Sequence, residues 1–346
     1  MVAIPRRINV LSMLFVIIFF SMLIFTGATQ KSDFYIAPVK ENGNLGYSPR
    51  LVENIEVKNY NIVGKAVDYY DRMPQRVVVV GENIIETLVA LGVEDRIIAA
   101  VGYGNTYYAP QEKYAARYRK VKIESGLVLN TERMLSLSPD LIISGQQLFS
   151  DKRLKSTSFW HQRNIHTFLS LNANSPFTHN HKESLDLEFE FILGLGKIFD
   201  REKEAKNIVD EMRDEIEDVS TRGREEQSPK VMIIEQLSGQ FVTYDNTKLA
   251  GDICTRLGAI VPTSNSTIGL EDLLKEDPDV LFIVKSGGNP EAAADAFRNM
   301  QALRGLRCIK NKRVYGIALN YTYNSAIKTG EGIKKFAQGI YPELYQ

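Results

Sequence analysis

The sequence predicts an α/β protein of two lobes, each with a mostly parallel central sheet, joined by a helical stretch. Three observations carry this. Continuous apolar runs of strand length alternate with helix-length segments from Arg76 onward, and a run without polar alternation suits a strand covered on both faces. A long helical region from Ser184 to about Arg222 divides the chain, with Leu185, Leu187, Phe191, Ile192, Leu195, Ile198 and Phe199 set among charges. The segments before and after it repeat one device at one spacing.

Taken in order, Arg6 and Arg7 precede an apolar run from Val10 to Phe25 broken only by Ser12 and Ser21, and the small residues Gly27 and Ala28 follow Thr26. Residues 1–28 therefore read as an export signal or an uncleaved membrane anchor, and either sends the rest of the chain outside the cytoplasm. Residues 29–56, with Pro38, Gly43, Gly46 and Pro49 and no helical or strand period, read as a tether. Two β-biased runs around Gly64 read as a hairpin leading into the first lobe, residues 57–181. Its buried-strand candidates start at Arg76, Arg96, Pro139 and Ile165, and the first continues into a helix ended by Gly92. Residues 182–200 form the connecting helix. The second lobe, 201–346, places strands at Lys230, Asp279 and Arg313.

The repeat is specific. "NTERMLSLSPDLIISG" sets Glu132 seven residues before Pro139 and eight before Asp140, and "GLEDLLKEDPDVLFIVKSG" sets Glu271 at the same distances from Pro278 and Asp279. Each half also has an upstream helix ending in Leu-Gly, at Leu91 and Gly92 and at Leu257 and Gly258.

Composition narrows the function. The 346 residues carry 42 Lys+Arg against 42 Asp+Glu with no long block of one sign, which removes the electrostatic footprint of a nucleic-acid binder. Cys254 and Cys308 are too few for a disulfide framework and lack structural-zinc spacing, so they either pair or are buried thiols. His161, His166, His179 and His181 all precede the connecting helix, which argues against a bare metal ion held by histidines from both lobes. No nucleophile elbow, P-loop, zinc-protease helix or Gly-rich dinucleotide turn occurs, so no catalytic residue and no enzyme is expected.

With this hairpin, with "RVVVVGENIIETLVALG", and with the blocks "NTERMLSLSPD" and "GLEDLLKEDPD", the chain resembles the class III substrate-binding proteins of ABC importers, the group serving iron-siderophores, haem and cobalamin. The resemblance covers about Val57 to Tyr345. It implies two αβ lobes bridged by one long rigid helix, here "SLDLEFEFILGLGKIF", with the ligand in the cleft between them. It also implies an extracytoplasmic receptor, a monomer, whose partners are an ABC permease with its ATPase and a metal chelate. No intrinsic cofactor is implied, and a ferric siderophore is the expected ligand, with haem or a corrinoid as alternatives. Glu132 and Glu271 would meet arginines of the permease. One family habit is missing: no lipidated cysteine follows the signal, since none occurs before Cys254.

The residues suggest where the ligand sits. Loops after the predicted strands bring Tyr103, Tyr107, Tyr108, Gln146, Phe149, Tyr244, Tyr321 and Tyr323 to the strand ends, where open αβ folds bind ligands. Tyrosine offers an apolar face and a polar tip, suited to a large, partly apolar chelate. Trp160, beside Phe159 in a helix, belongs to the core. Two readings from other classes remain: an exported two-lobe metal-dependent enzyme, which needs cysteines or histidines from both lobes, and an adhesion module, which needs no cleft ligand.

Overall fold

The chain enters through a hairpin that seals one side of the first lobe. The computed structural model describes residues 46–104, 108–124, 130–172, 182–223, 228–237, 240–263 and 265–345. The N-terminal apolar run and most of the tether lie outside them. Strand β1 (Arg50–Lys58) pairs antiparallel with β2 (Asn61–Tyr70). The hairpin therefore begins inside the segment read as tether, and it turns at Asn59 and Tyr60, not at Gly64. Both turn residues have positive φ, 47° and 70°, the conformation that lets a two-residue turn follow the strand twist, and Asn is among the few non-glycine residues that adopt it readily. Gly64 lies within β2 opposite Glu56, where the register slips by one residue. On the inner face Val52, Val57 and Tyr70 are buried, and Asn54 Nδ2 donates to Asp68 Oδ2 at 2.7 Å.

The first lobe follows as β3 (Val77–Val80), α1 (Glu82–Ala90), β4 (Ile97–Val101), α2 (Glu112–Tyr118), β5 (Ile123–Glu124), α3 (Thr131–Leu137), β6 (Leu141–Gly145), α4 (Thr157–His161) and β7 (His166–Ser170). The strands form a parallel sheet in the order β5-β4-β3-β6-β7. Every residue of β3, β4 and β6 is buried, as the continuous apolar runs require of a sheet covered on both faces. Trp160 is fully buried in α4, and its indole N–H donates to Leu154 O at 2.5 Å.

The connection is two helices. Ser184 caps α5 (Leu185–Ile198), and α6 (Glu202–Gly223) follows. The break falls at Asp200, whose φ of 54° is left-handed, while Arg201 N–H reaches back to Gly196 O at 2.8 Å. This backward bond is the Schellman closure of a helix C-terminus. Gly196 also lets the helices touch, since a Cβ there would stand 2.5 Å from Ala205 Cβ. The long bridge is α6, 22 residues, rather than the segment 182–200. At its start Glu202 pairs with Arg50 and, further along, Glu211 with Lys113, both of the first lobe, while Gly223 at its end packs against Tyr341 of the second. Its buried Ala205, Ile208, Val209, Met212 and Val219 form one helical stripe, part of a core that runs continuously from Ile84 of the first lobe to Phe336 of the second.

The second lobe comprises β8 (Val231–Leu237), β9 (Gln240–Thr243), α7 (Leu249–Arg256), β10 (Thr267–Ile268), α8 (Leu270–Glu276), β11 (Val280–Lys285), α9 (Pro290–Arg298), α10 (Arg307–Lys310), β12 (Val314–Ala318) and α11 (Thr329–Ile340). Its sheet order is β10-β9-β8-β11-β12, with β8, β11 and β12 parallel and β9 and β10 antiparallel. The lobes differ here. In the first, a crossover helix makes β4 parallel to β3; in the second, a hairpin supplies β9, and the segment after the Leu257-Gly258 helix end keeps only a single parallel bridge, Ile260 to Lys230.

The repeated blocks have a physical basis. Ser138 and Asp277 end α3 and α8 in left-handed conformation, with φ 47° and 42°. The aspartate two residues on then ties the incoming strand to the central one. Asp140 accepts from Gln75 N–H at 2.7 Å and Arg76 N–H at 2.9 Å, and Asp279 accepts from Lys230 N–H at 2.8 Å. Cys254 and Cys308 are separate buried thiols, and burial pushes both up, Cys308 to about 11. Among the described residues no helix is long and apolar enough to cross a membrane.

Candidate ligand cleft

The strand ends of both sheets meet at one cavity. After β3 the chain turns at Gly81, whose φ of 111° suits only glycine and where a Cβ would lie 3.1 Å from Tyr103 Cε2. Glu82 and Asn83 open α1, Tyr103 and Gly104 follow β4, and Gln147 follows β6. From the second lobe come Ser286 after β11 and Leu319, Asn320, Tyr323 and Asn324 after β12. Together with Tyr108 they line a cavity of about 270 Å³. This is the place where open αβ sheets bind ligands.

Hydrogen bonds fix the lining. Gln147 Nε2 donates to Tyr103 Oη at 3.0 Å, and Asn83 Nδ2 donates to the carbonyls of Asn320 at 3.2 Å and Asn324 at 3.0 Å, joining the lobes at the cleft floor. Tyr108 O–H donates to Glu86, which also accepts from Gln111 N–H at 2.8 Å and lies 3.6 Å from Lys328 Nζ. Lys328, almost fully buried, makes its closer pair with Glu331 at 2.6 Å. Behind them Glu188 accepts from Ala326 N–H at 2.6 Å and Asn172 Nδ2 at 2.8 Å.

Burial and neighbouring carboxylates set the charge states. Tyr103 keeps about half of its surface exposed, 51%, and desolvation at the hydroxyl end, with Glu82 nearby, raises its phenol. Tyr323 is raised by burial, then by Tyr103 and Glu183. Tyr108 is raised by burial and by Glu86. These tyrosines act as neutral hydroxyls, not as phenolates. Burial pushes Glu86 up, and it pushes Glu188 up to about 7 despite the hydrogen bonds that favour its charged form.

Of the residues expected at the cleft, Tyr103, Tyr108 and Tyr323 lie in its lining. Tyr107 falls outside the described residues. Gln146 and Phe149 are buried in the first lobe instead, because the tight 3-10 turn Gln146–Leu148 leaves Gln147 at the cavity and carries its neighbours inward. Tyr244, half-buried, donates to Glu235 at 2.8 Å. Tyr321 donates to Glu331 at 3.0 Å and lines a separate pocket beside α6. The reading from tyrosines missed Glu82, Asn83, Ser286, Asn320 and Asn324. Their signal was positional, since each follows a strand end within a few residues. Glu132 and Glu271 occupy the first turns of α3 and α8, are exposed, and make no ion pair among the described residues. Helices that cross between parallel strands run antiparallel to them, so both N-termini lie toward the cleft edge of their sheets. Among the described residues no three His, Cys, Asp or Glu side chains form a metal-binding group.

A family model described as periplasmic binding protein matches residues 77–320, spanning both lobes and every described residue of the cavity except Tyr323 and Asn324. The chain belongs to the periplasmic binding protein family. As a member it is an extracytoplasmic substrate-binding protein, not an enzyme. The chain is 21% identical over 285 residues to YvrC of Bacillus subtilis (strain 168), an uncharacterised ABC transporter substrate-binding lipoprotein, covering 79% of this chain and 82% of that one. Among solved structures it is similar to a periplasmic binding protein from Veillonella parvula DSM 2008, with TM-score 0.77, 29% identity, and coverage of 86% and 93% of the two chains. It shares its fold with the siderophore-binding protein BauB, solved with two molecules of acinetobactin and ferric iron, at TM-score 0.59, 23% identity, and coverage of 84% and 99%.

Proposed function

We propose that this chain captures a ferric siderophore in the cleft between its lobes and delivers it to an ABC permease driven by its ATPase. The observation that carries the reading is the cavity itself: neutral tyrosines, amides and a serine converge on it from the strand ends of both lobes, a lining suited to a large chelate that brings all its own iron ligands. The ABC role rests on YvrC and the ligand class on the BauB fold. Glu132 and Glu271, matched on separate lobes and free among the described residues, are the contacts for basic residues of the permease. Residues 1–28 export the chain to the periplasm or anchor it at the outer face of the cytoplasmic membrane, and the receptor acts as a monomer. The test is thermal unfolding of the purified protein against ferric siderophores, haem and cobalamin, since a ligand at a hundredfold its Kd adds about 2.7 kcal/mol to the folded state. Stabilisation by a ferric siderophore supports the reading. Stabilisation by haem or cobalamin alone replaces the ligand, and stabilisation by none removes the receptor reading.

A further inference from the structure

The cleft is short of positive charge and rich in unanswered acceptors. Glu82 is the one charged side chain among its described lining residues. Of the cations nearby, Lys328 is buried between Glu86 and Glu331, the exposed Arg153 acts on Tyr103 more weakly than Glu82 does, and the exposed Lys285 ends β11 beside Ser286 without entering the lining. The second observation is independent. Four buried side-chain carbonyl oxygens of the lining, on Asn83, Asn320, Asn324 and Gln147, have no hydrogen-bond donor among the described residues. Asn83 and Asn324 are only 8% and 4% exposed, and the two bonds from Asn83 Nδ2 fix its amide with the oxygen left over. A buried acceptor without a donor is unfavourable, so a ligand that supplies N–H groups gains where one that supplies more acceptors does not.

Resting on the receptor reading above, we propose that the cleft selects ferric chelates that carry no net negative charge and present amide or ammonium N–H donors, as hydroxamate chelates do, and rejects carboxylate and catecholate chelates. The anionic classes would place their charge against Glu82 and their oxygens against the four carbonyls. The neutral tyrosines fit the same selection, since they contribute no phenolate to the iron.

The test is calorimetric titration of the full chain with ferrioxamine B, which is cationic, ferrichrome, which is neutral and rich in peptide N–H, and the anionic ferric citrate and ferric enterobactin. Either hydroxamate is expected to bind at least about tenfold more tightly than both anions, a difference of about 1.4 kcal/mol. Glu82→Lys should narrow or invert that ratio, and should it fail to fold, Asn320→Lys at the half-buried rim makes the same change of sign. An anionic chelate binding as tightly as the hydroxamates, or a ratio unmoved by both lysine variants, overturns the selection while leaving the receptor reading intact. Binding of none of the four removes the ferric-siderophore reading and the selection with it.

Discussion

Raising the pH from 5 to 8 should weaken this fold through one side chain, Glu188. It lies in the first turn of α5, fully buried, where its carboxylate meets Asn172 of the first lobe and the backbone at Ala326 of the second. Burial lifts it from its ordinary 4.5 to about 7. A raised carboxylate is one that the native state keeps protonated after the unfolded chain has let its proton go. Its contribution to stability is complete below about pH 4.5 and lost as the pH rises through about 7. At about 1.36 kcal/mol per pH unit the loss is about 3 kcal/mol. Glu188→Gln removes the titration, at a constant cost of about 1 to 3 kcal/mol for setting an amide N–H against donors. Urea unfolding followed by fluorescence of the single Trp160 at pH 5, 6, 7 and 8 gives both chains' stabilities. The gap between wild type and variant should shift by about 2.5 kcal/mol in the variant's favour across that range, the first part of the loss falling below pH 5. Glu86 titrates in the same direction, and His166, which burial lowers, in the opposite one, but both are present in each chain and cancel in the difference. A gap independent of pH, or one that moves in favour of wild type, refutes the argument.

Replacing both Glu132 and Glu271 by Arg should abolish uptake in cells while changing ligand affinity and folding stability little, because exposed charges contribute at most about 1 kcal/mol to a fold; uptake that survives, measured with a radiolabelled ferric chelate, removes their docking role. Tyr103→Ala or Tyr323→Ala should weaken chelate binding by about tenfold or more in calorimetry, with the unfolding temperature held, as loop-tip aromatics contribute to contact rather than core. Gly251→Ala should cost about 3 kcal/mol or more in urea unfolding, since its Cβ would fall 1.9 Å from the Asp245 carbonyl oxygen. Small-angle scattering should show only slight compaction on ligand addition, because α6 is rigid along both lobes; a large compaction counts against that.

What the sequence made legible was whatever depends on local pattern. The all-buried strands β3, β4 and β6, and β11 buried up to Lys285, follow from runs such as "VVVV" and "LFIV", and the two lobes follow from the matched blocks around Asp140 and Asp279. The hairpin turn was misplaced because glycine drew attention to Gly64, whereas the turn needed Asn59 and Tyr60 in left-handed conformation. The break at Asp200 was hidden because neither Pro nor Gly marks it. The short strands β9 and β10 were missed because strands of four and two residues have no period to read. Of the tyrosines expected to contact the ligand, Tyr103, Tyr108 and Tyr323 stand at the cavity, while the hydroxyls of Tyr244 and Tyr321 are held by Glu235 and Glu331. The amides escaped notice because an asparagine in a loop is ordinarily a turn residue, and only the tertiary fold shows that its carbonyl is left without a donor.

The same contacts that build the cleft floor limit its motion. Asn83 to Asn320 and Asn324, Ile327 N–H to Thr87 Oγ1 at 3.2 Å, and Glu188 to Ala326 all cross between first-lobe residues or the connecting helix and the 319–328 segment. Opening the lobes would exchange each of these buried bonds for hydrogen bonds to water, at a net cost of about 0.5 to 1.5 kcal/mol per bond. A hinge carrying several such bonds does not swing freely. Selectivity in a cleft of this kind has to come from groups already in place, with the ligand completing hydrogen bonds that the empty cleft leaves open, so that affinity depends on preorganisation more than on closure.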